Sequence, residues 1–239
     1  MKSLPNSFLL LVMILVSMDL LTGCESTPKA GEGGEPATAA TPAQSKPPTF
    51  YSGLQAFSCV NGLAQRWSSD VIPVRLESQA NSEANGQDGK ATVWKAGFIS
   101  PSRGKIKYFY CSGSRLKDAP PYGPSAGTEE AYGPDVPALG FQPLFLKTDS
   151  DKAYAVAKDH GGANLIKKNP NQVVTYFVLW NPKQRALYWY VMYGKDQESA
   201  TGTGIVNALT GTYAGTAGRR VREPDGKNAS CDHCGKQVL

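Results

Sequence analysis

The longest strand-like apolar runs of the chain, after its N-terminal segment, lie in residues 92–113 and 174–194, and these two stretches are similar to each other. Each contains a run of β-branched and aromatic residues, a turn with a proline (Pro101 or Pro182), and a second such run. Two strand-like runs joined by a short turn predict a β-hairpin. We therefore expect two hairpins of related sequence.

A helix and a strand are predicted before the first hairpin. Phe57, Val60 and Ala64 recur at helical spacing within residues 54–67, which predicts a helix with one apolar face. The short apolar run at residues 71–76 then predicts a strand.

The second hairpin is preceded in the same way. A shorter helix is predicted over residues 150–160, with Asp149 or Ser150 as its N-cap and two glycines after its last residue. A short strand is predicted over residues 163–167.

The order helix, strand, strand, strand therefore occurs twice. We predict an α+β fold of two tandem units, over residues 51–113 and 149–217, each with one helix packed on a three-stranded antiparallel sheet. Residues 114–148 are rich in proline and are predicted to connect the two units. The apolar content of 41% is typical of a folded globular chain.

Residues 1–23 have the layout of an export signal, with Lys2, an apolar run over residues 8–16 and a short segment before Cys24. The apolar run is too short to span a bilayer, which requires about 20 residues. The stretch Leu21-Thr22-Gly23-Cys24 resembles the lipobox of bacterial lipoproteins. The resemblance implies cleavage before Cys24 and attachment of lipid to that cysteine. The alternative is an ordinary secretory signal in which the cysteine has no role.

Residues 24–50 are rich in Gly, Pro, Ala and Thr and lack apolar periodicity, so we predict a disordered tether. The resemblance to bacterial lipoproteins implies a protein of the cell envelope that is anchored to a membrane through its N-terminal lipid. Glu25 follows Cys24, whereas an aspartate at that position is associated with retention at the inner membrane. The resemblance therefore favours the periplasmic side of the outer membrane.

Residues 205–213, Ile-Val-Asn-Ala-Leu-Thr-Gly-Thr-Tyr, are similar to the closing segment of PepSY-type modules. Asn207 stands where that family more often has aspartate, and the first unit lacks the segment. The resemblance implies a cystatin-like unit for residues 149–217 and, more weakly, for residues 51–113. It also implies inhibition or chaperoning of peptidases.

Besides Cys24, the chain has four cysteines, an even number that suits disulfides in an oxidising compartment. Cys59 in the first helix and Cys111 in the first hairpin are candidates for one disulfide. Strand alternation opposes this pairing, because it places Cys111 on the lysine-bearing face, opposite Tyr108 and Tyr110. A bulge or a strand end near Cys111 would remove the objection, so both readings stay open.

Cys231 and Cys234 form a C-x-x-C pair in the polar C-terminal tail, residues 218–239. Such a pair forms a disulfide, supplies two zinc ligands, or cycles between dithiol and disulfide. Gly235 stands where haem attachment requires a histidine, and no second pair completes a zinc site. We predict neither a bound metal nor a cofactor, and we keep redox or metal handling through this pair as an alternative.

The second hairpin is apolar on both faces, whereas a single helix covers only one face. The other face packs against the first unit or against residues 138–146, or it forms an aromatic platform for a peptide or a glycan. The candidate platform residues are Tyr176, Trp180, Trp189 and Tyr190.

The sequence contains no recognisable catalytic arrangement and only two histidines. The net charge of +5 is not concentrated in a run of Lys or Arg, which argues against nucleic acid as a partner. We predict a lipid-anchored envelope protein that is not an enzyme and that binds a peptide, a peptidase or another envelope component. The alternatives are a thiol-redox or metal-handling lipoprotein and a structural envelope protein without a dedicated ligand.

Overall fold

The computed structural model describes residues 47–217. The helices of this part are α1 (Gly53–Trp67), α2 (Ser150–Ala157) and α3 (Ala163–Lys168). The strands are β1 (Ile72–Ser78), β2 (Val93–Ser100), β3 (Lys105–Ser112), β4 (Gly123–Ala131), β5 (Thr175–Asn181), β6 (Ala186–Met192), β7 (Thr203–Asn207) and β8 (Tyr213–Ala217). Two 3-10 turns, Val136–Leu139 and Pro143–Phe145, lie between β4 and α2.

All eight strands belong to one antiparallel sheet with the order β4-β3-β2-β1-β5-β6-β7-β8. The prediction of two tandem units, each with one helix on a three-stranded sheet, is therefore wrong. The three-stranded sheet implied by the resemblance to PepSY modules is also not what the chain forms. Instead β1 pairs with β5, where Leu76 lies opposite Val178, and a fourth strand extends each half of the sheet.

Strand pairing explains the error. The edge of a strand carries unpaired N–H and C=O groups that pair readily with another strand. In this chain the edge of β1 that β2 leaves free pairs with β5, which lies about a hundred residues further along the chain. An apolar pattern reports which residues are buried, but it carries no information on which edges meet.

The predicted first helix is present as α1. The hydroxyl of Ser52 accepts a hydrogen bond from the N–H of Gln55, and the Gln55 side chain accepts one from the N–H of Ser52. This capping box satisfies backbone donors that otherwise lack partners at a helix start. The predicted apolar stripe is buried, and Val60 and Ala64 are almost inaccessible.

The second helical segment differs from the prediction. Asp149 caps α2 as predicted, but a π-type turn over Lys158–Gly162 follows, and the backbone continues as α3. The strand predicted for residues 163–167 is therefore wrong. Leu165 and Ile166 are adjacent and both pack against the same core, which neighbouring residues of a strand cannot do.

Both predicted hairpins are present as β2–β3 and β5–β6. Ser100 pairs with Lys105 and Asn181 pairs with Ala186, so each turn consists of four residues. The last residue of each turn has a left-handed backbone, which is unusual for a residue with a side chain. The two hairpins therefore share one turn geometry.

The three helices lie on one face of the sheet, which we call the helix face, and we call the opposite side the open face. One continuous core on the helix face unites both halves of the chain. Its largest side chains are Trp94, Phe98, Phe109, Tyr176, Trp189 and Tyr193. No helix within residues 47–217 has the length and apolar character needed to cross a membrane.

The Pro-rich segment, residues 114–148, supplies β4 and then passes from one face of the sheet to the other. Val136 and Leu139 pack against an apolar cluster on the open face. Phe141 belongs to the helix-face core, and its N–H donates to the carbonyl of Pro73 over 3.0 Å. The segment therefore wraps around one end of β1.

Candidate functional site

Two of the four predicted platform residues are core residues. Tyr176 and Trp189 are 1% and 0% exposed on the helix face. The hydroxyl of Tyr176 donates to the carbonyl of Gly86, and the indole N–H of Trp189 donates to the carbonyl of Thr148 over 2.7 Å. Both polar groups are satisfied within the protein, so neither residue offers a surface to a ligand.

The other two platform residues lie on opposite faces. Trp180 packs on Phe145 on the helix face, with ring centroids 5.4 Å apart. Tyr190 lies on the open face and stacks on Phe177 at 4.7 Å. The structure therefore does not bring Tyr176, Trp180, Trp189 and Tyr190 together on one surface. Neighbouring positions of a strand point to opposite sides, which separates Trp189 from Tyr190.

Cys59 and Cys111 form a disulfide that joins α1 to β3, with their Cα atoms 6.0 Å apart. The alternation in β3 is regular, and Cys111 points to the helix face together with Phe109. The helix therefore covers the face of Cys111, and Tyr108 and Tyr110 point to the open face. No bulge at Cys111 is needed to form the bond.

The remaining cysteines lie outside the described residues. Cys24, the predicted lipidation site, precedes them, and Cys231 and Cys234 follow them. Their predicted roles stay predictions.

Charged side chains on the neighbouring strands β1 and β2, together with a tyrosine on β3, form the centre of the open face. Glu77 on β1 forms an ion pair with Arg75 and lies 3.8 Å from the ammonium group of Lys95 on β2. The same ammonium group lies 4.1 Å above the ring of Tyr108 on β3. One carboxylate and one aromatic ring thus hold the two cations in place.

Aromatic side chains extend this centre on both sides. The guanidinium of Arg75 lies 5.0 Å from the ring centre of Phe177, which in turn stacks on Tyr190 of β6. On the other side, Tyr110 lies directly opposite Lys95 and shares its face. We call this set the open-face network: Arg75, Glu77, Lys95, Tyr108, Tyr110, Phe177 and Tyr190.

The network spans five adjacent strands, from β3 to β6, which corresponds to about 19 Å. Its ion pairs are partly exposed, with 32% of the Arg75 side chain, 28% of Lys95 and 19% of Glu77 accessible. Ion pairs in such a setting contribute about 0.2–1 kcal/mol each. They therefore orient the side chains more than they stabilise the fold.

Tyr108 contributes a phenolic hydroxyl to the open face. Burial raises the pKa of this hydroxyl above the ordinary value, and the nearby carboxylates of Glu130 and Glu77 raise this pKa further. A phenol is protonated at neutral pH even at its ordinary pKa, so the hydroxyl is a hydrogen-bond donor there. Together with the guanidinium and the ammonium group, it makes the face rich in donors.

Little of the described part of the chain, residues 47–217, covers this surface. The two apolar clusters on the open face contain no residue of α1, α2 or α3. Val136 and Leu139 cover one part, and Ala200 from the β6–β7 connection packs beside Phe177 at another. The charged side chains of the network lie between these covered parts, whereas Tyr108 and Phe177 belong to the two clusters, with Phe177 only 5% exposed.

The two edges of the sheet are poorly suited to pairing with a further strand. β4 contains Pro124, which lacks an N–H, and its pairing with β3 is irregular between Lys107 and Phe109. β8 has five residues and includes Gly215 with φ of 140°. Proline, irregular pairing and short length protect edges from strand addition. The faces are therefore better surfaces for a partner than the edges.

The described residues also contain carboxylates with a structural role. Asp70 accepts hydrogen bonds from the hydroxyls of Ser68 and Ser100 and from the N–H of Ser102. These donors, the Ser100 hydroxyl foremost, hold the pKa of Asp70 well below its usual range. They fasten the end of α1 to the β2–β3 turn. In residues 47–217, no three His, Cys, Asp or Glu side chains are placed to hold a metal ion together.

Sequence reasoning missed six of the seven residues of the network and found only Tyr190; the missed residues are Arg75, Glu77, Lys95, Tyr108, Tyr110 and Phe177. A signal for them was present in β3, where tyrosines alternate with Cys111 and lysines. Taking the disulfide as given would have placed the helix on the Cys111 face and left both tyrosines on the other.

The side chains of the open face identify it as the candidate binding surface. It combines tyrosines with paired charges and lies opposite the helices, on a sheet whose edges are protected. Comparison with family models, with curated proteins and with solved structures finds no match to this chain.

Proposed function

We propose that the chain is a lipid-anchored protein of the bacterial cell envelope that binds a protein partner through the open face and catalyses no reaction. The observation that carries this proposal is the open-face network, an ordered group of aromatic and charged side chains that the helices leave uncovered.

The composition of the network favours a protein partner. Tyrosine and arginine are enriched in the cores of protein–protein interfaces, because they combine a large apolar area with hydrogen-bonding groups. Three tyrosines and one arginine belong to the network, and Glu77 and Phe177 restrict the movement of Arg75. Side chains that are already ordered lose less entropy on binding.

The size of the face agrees with such a partner. Eight strands span about 34 Å across, and strands of this length are about 20 Å long. The product is on the order of 700 Å², which is close to the roughly 800 Å² that one protein contributes to a standard interface.

The envelope location is supported by two independent features. The N-terminal sequence has a signal-like layout followed by a lipobox-like stretch. The Cys59–Cys111 disulfide is of a kind that persists in oxidising compartments such as the periplasm. Mass spectrometry of the protein extracted from cells tests this part. We expect a chain that starts at lipid-modified Cys24, and an unmodified chain that starts at Met1 would contradict the proposal.

Site-specific photo-crosslinking in cells tests the binding surface. A photoreactive residue replaces Tyr110, the network residue opposite Lys95 on β3, or Ile205, which lies on the open face beside Tyr190 at the other margin of the network. Matched control positions are Gln65 on α1 and Lys152 on α2, both exposed. We expect the same partner to be captured from both open-face positions and from neither control position.

A second substitution tests whether the crosslinked partner is bound through the network. With the photoreactive residue at Ile205, Lys95→Ala should reduce capture strongly, because it removes the cation between Glu77 and Tyr108. Lys152→Ala should leave capture unchanged. Capture from all positions alike, or from no open-face position, would contradict the proposal, and the latter result would favour a structural envelope protein.

A further inference from the structure

A second surface, at one end of the sheet, carries basic side chains. β2 and β5 run in the same direction, because each is antiparallel to β1. The β2–β3 turn and the β5–β6 turn therefore lie at the same end of the sheet. The end of α1 lies there too, since the hydroxyls of Ser68 and Ser100 are 3.0 Å apart. We call this surface the basic end: Arg66, Arg103, Lys105, Lys183 and Arg185.

In the described part of the chain, most of these cations have no acidic partner. Arg103 lies 3.3 Å from the carboxylate of Glu129. Within residues 47–217, Arg66, Lys183 and Arg185 take part in no ion pair. All three are exposed.

The acidic residues of this end lie near the first turn: Asp70 and Glu129 are bonded within the protein, and Glu130, opposite Ile106, is exposed on the edge strand β4, away from the second turn. Asp70 accepts from two serine hydroxyls and one N–H, as described above. Glu129 accepts from the indole N–H of Trp67 over 2.7 Å as well as from Arg103. The second turn, with Lys183 and Arg185, therefore offers the least compensated charge.

Arg185 has a backbone conformation that disfavours a side chain. Its φ is 49°, whereas the equivalent residue of the first turn is Gly104 with φ of 62°. A residue with a Cβ loses conformational free energy there, and glycine does not. Because Arg185 also forms no ion pair within the described residues, stabilising the fold does not explain an arginine here. Strained residues of this kind are concentrated at functional sites.

We propose that the basic end binds a linear anionic polymer that bears carboxylate or phosphate groups, with Lys183 and Arg185 as the principal contacts. The two turns are three strand intervals apart, about 14 Å, so one polymer can reach both at once. Contacts at both turns act together and raise the affinity above that of either alone.

The position of the basic end favours a polymer over the membrane surface. Thr49, through which the chain continues toward Cys24, bonds to Gly113 beyond the end of β3, at the opposite end of the sheet. Ala217 pairs with Thr203 at that opposite end as well. The basic end is therefore the part of the domain that lies farthest along the strands from both chain connections.

Binding of the full-length protein, purified in a neutral detergent, to fluorescent poly-L-glutamate and to polyphosphate tests the proposal. We expect binding that weakens as salt rises. Arg185→Gly should weaken it about fivefold, and the double variant with Lys183→Ser about 25-fold, since each cation near an anionic surface contributes roughly that factor. The polymer that binds more tightly identifies the preferred anion.

Stability and a control variant make the test specific. Arg185→Gly should raise the unfolding temperature while it weakens binding, a combination that a purely structural role would not produce. Lys117→Ser, an exposed cation beyond the other end of β3, should change neither quantity. The proposal would be overturned if Lys117→Ser weakened binding as much as Arg185→Gly, or if Arg185→Gly left binding unchanged. It would also be overturned if the protein bound neither polymer at 0.1 M salt, or bound only to phosphatidylglycerol vesicles.

Discussion

Removal of the Cys59–Cys111 disulfide tests the packing of α1 on the sheet. The bond closes a loop with a sequence separation of 52 residues. In the loop-entropy description, a crosslink of this span stabilises the folded state by about 4 kcal/mol at 25 °C. For a domain of this size, that loss lowers the unfolding temperature by about 8–16 °C.

Equilibrium urea unfolding of Cys59→Ala, Cys111→Ala and the double variant measures the effect. Each single variant already breaks the bond, so the double variant should lose little more than either single variant. Reduction of the native protein should lower its stability by a similar amount and leave the double variant unchanged. A double variant within about 0.5 kcal/mol of the native protein would refute the reasoning, because the helix would then be held without the bond.

Two further predictions concern single side chains. Gly53→Ala should destabilise the protein by about 1–3 kcal/mol, because a Cβ there would overlap the ring of Trp189. Gly62→Ala, at an open position of the same helix, should stabilise the protein by up to about 1 kcal/mol. Equal effects of the two substitutions in thermal unfolding would contradict this prediction. The hydrogen bond from Trp67, followed by the hydrogen bond and the charge of Arg103, lowers the pKa of Glu129. Its contribution to stability is therefore present above the unfolded pKa of about 4.3 and is lost as pH falls through the lower folded value. The difference in unfolding temperature between the native protein and Glu129→Gln should shrink between about pH 5 and pH 3, and a constant difference would contradict the prediction.

Local patterns predicted the local elements. The spacing of Phe57, Val60 and Ala64 gave α1 nearly to its ends, because a helix face is set by residues close in sequence. The proline-containing turns between apolar runs predicted both hairpins, because a hairpin is also formed by residues close in sequence. The strand prediction for residues 163–167 failed, because the six residues of Ala163–Lys168 hold too few apolar positions to distinguish a helix from a strand.

Non-local features escaped prediction. The pairing of Leu76 with Val178 joins the halves into one sheet, and such pairing depends on the whole fold. Both faces of the central strands carry apolar residues, so the pattern does not tell which face the helices cover. The predicted platform combined residues of both faces, and only Tyr190 of that set belongs to the open face.

Radical footprinting of tyrosines tests most directly whether the open face is the surface that a partner occupies. Tyr108 and Tyr110 are partly exposed on that face, and Tyr122, which is 49% exposed, lies in the loop before β4. The account predicts that all three are modified in the purified protein, and that only Tyr122 is modified to the same extent in intact cells. Equal modification of Tyr108 and Tyr110 in both preparations would contradict it.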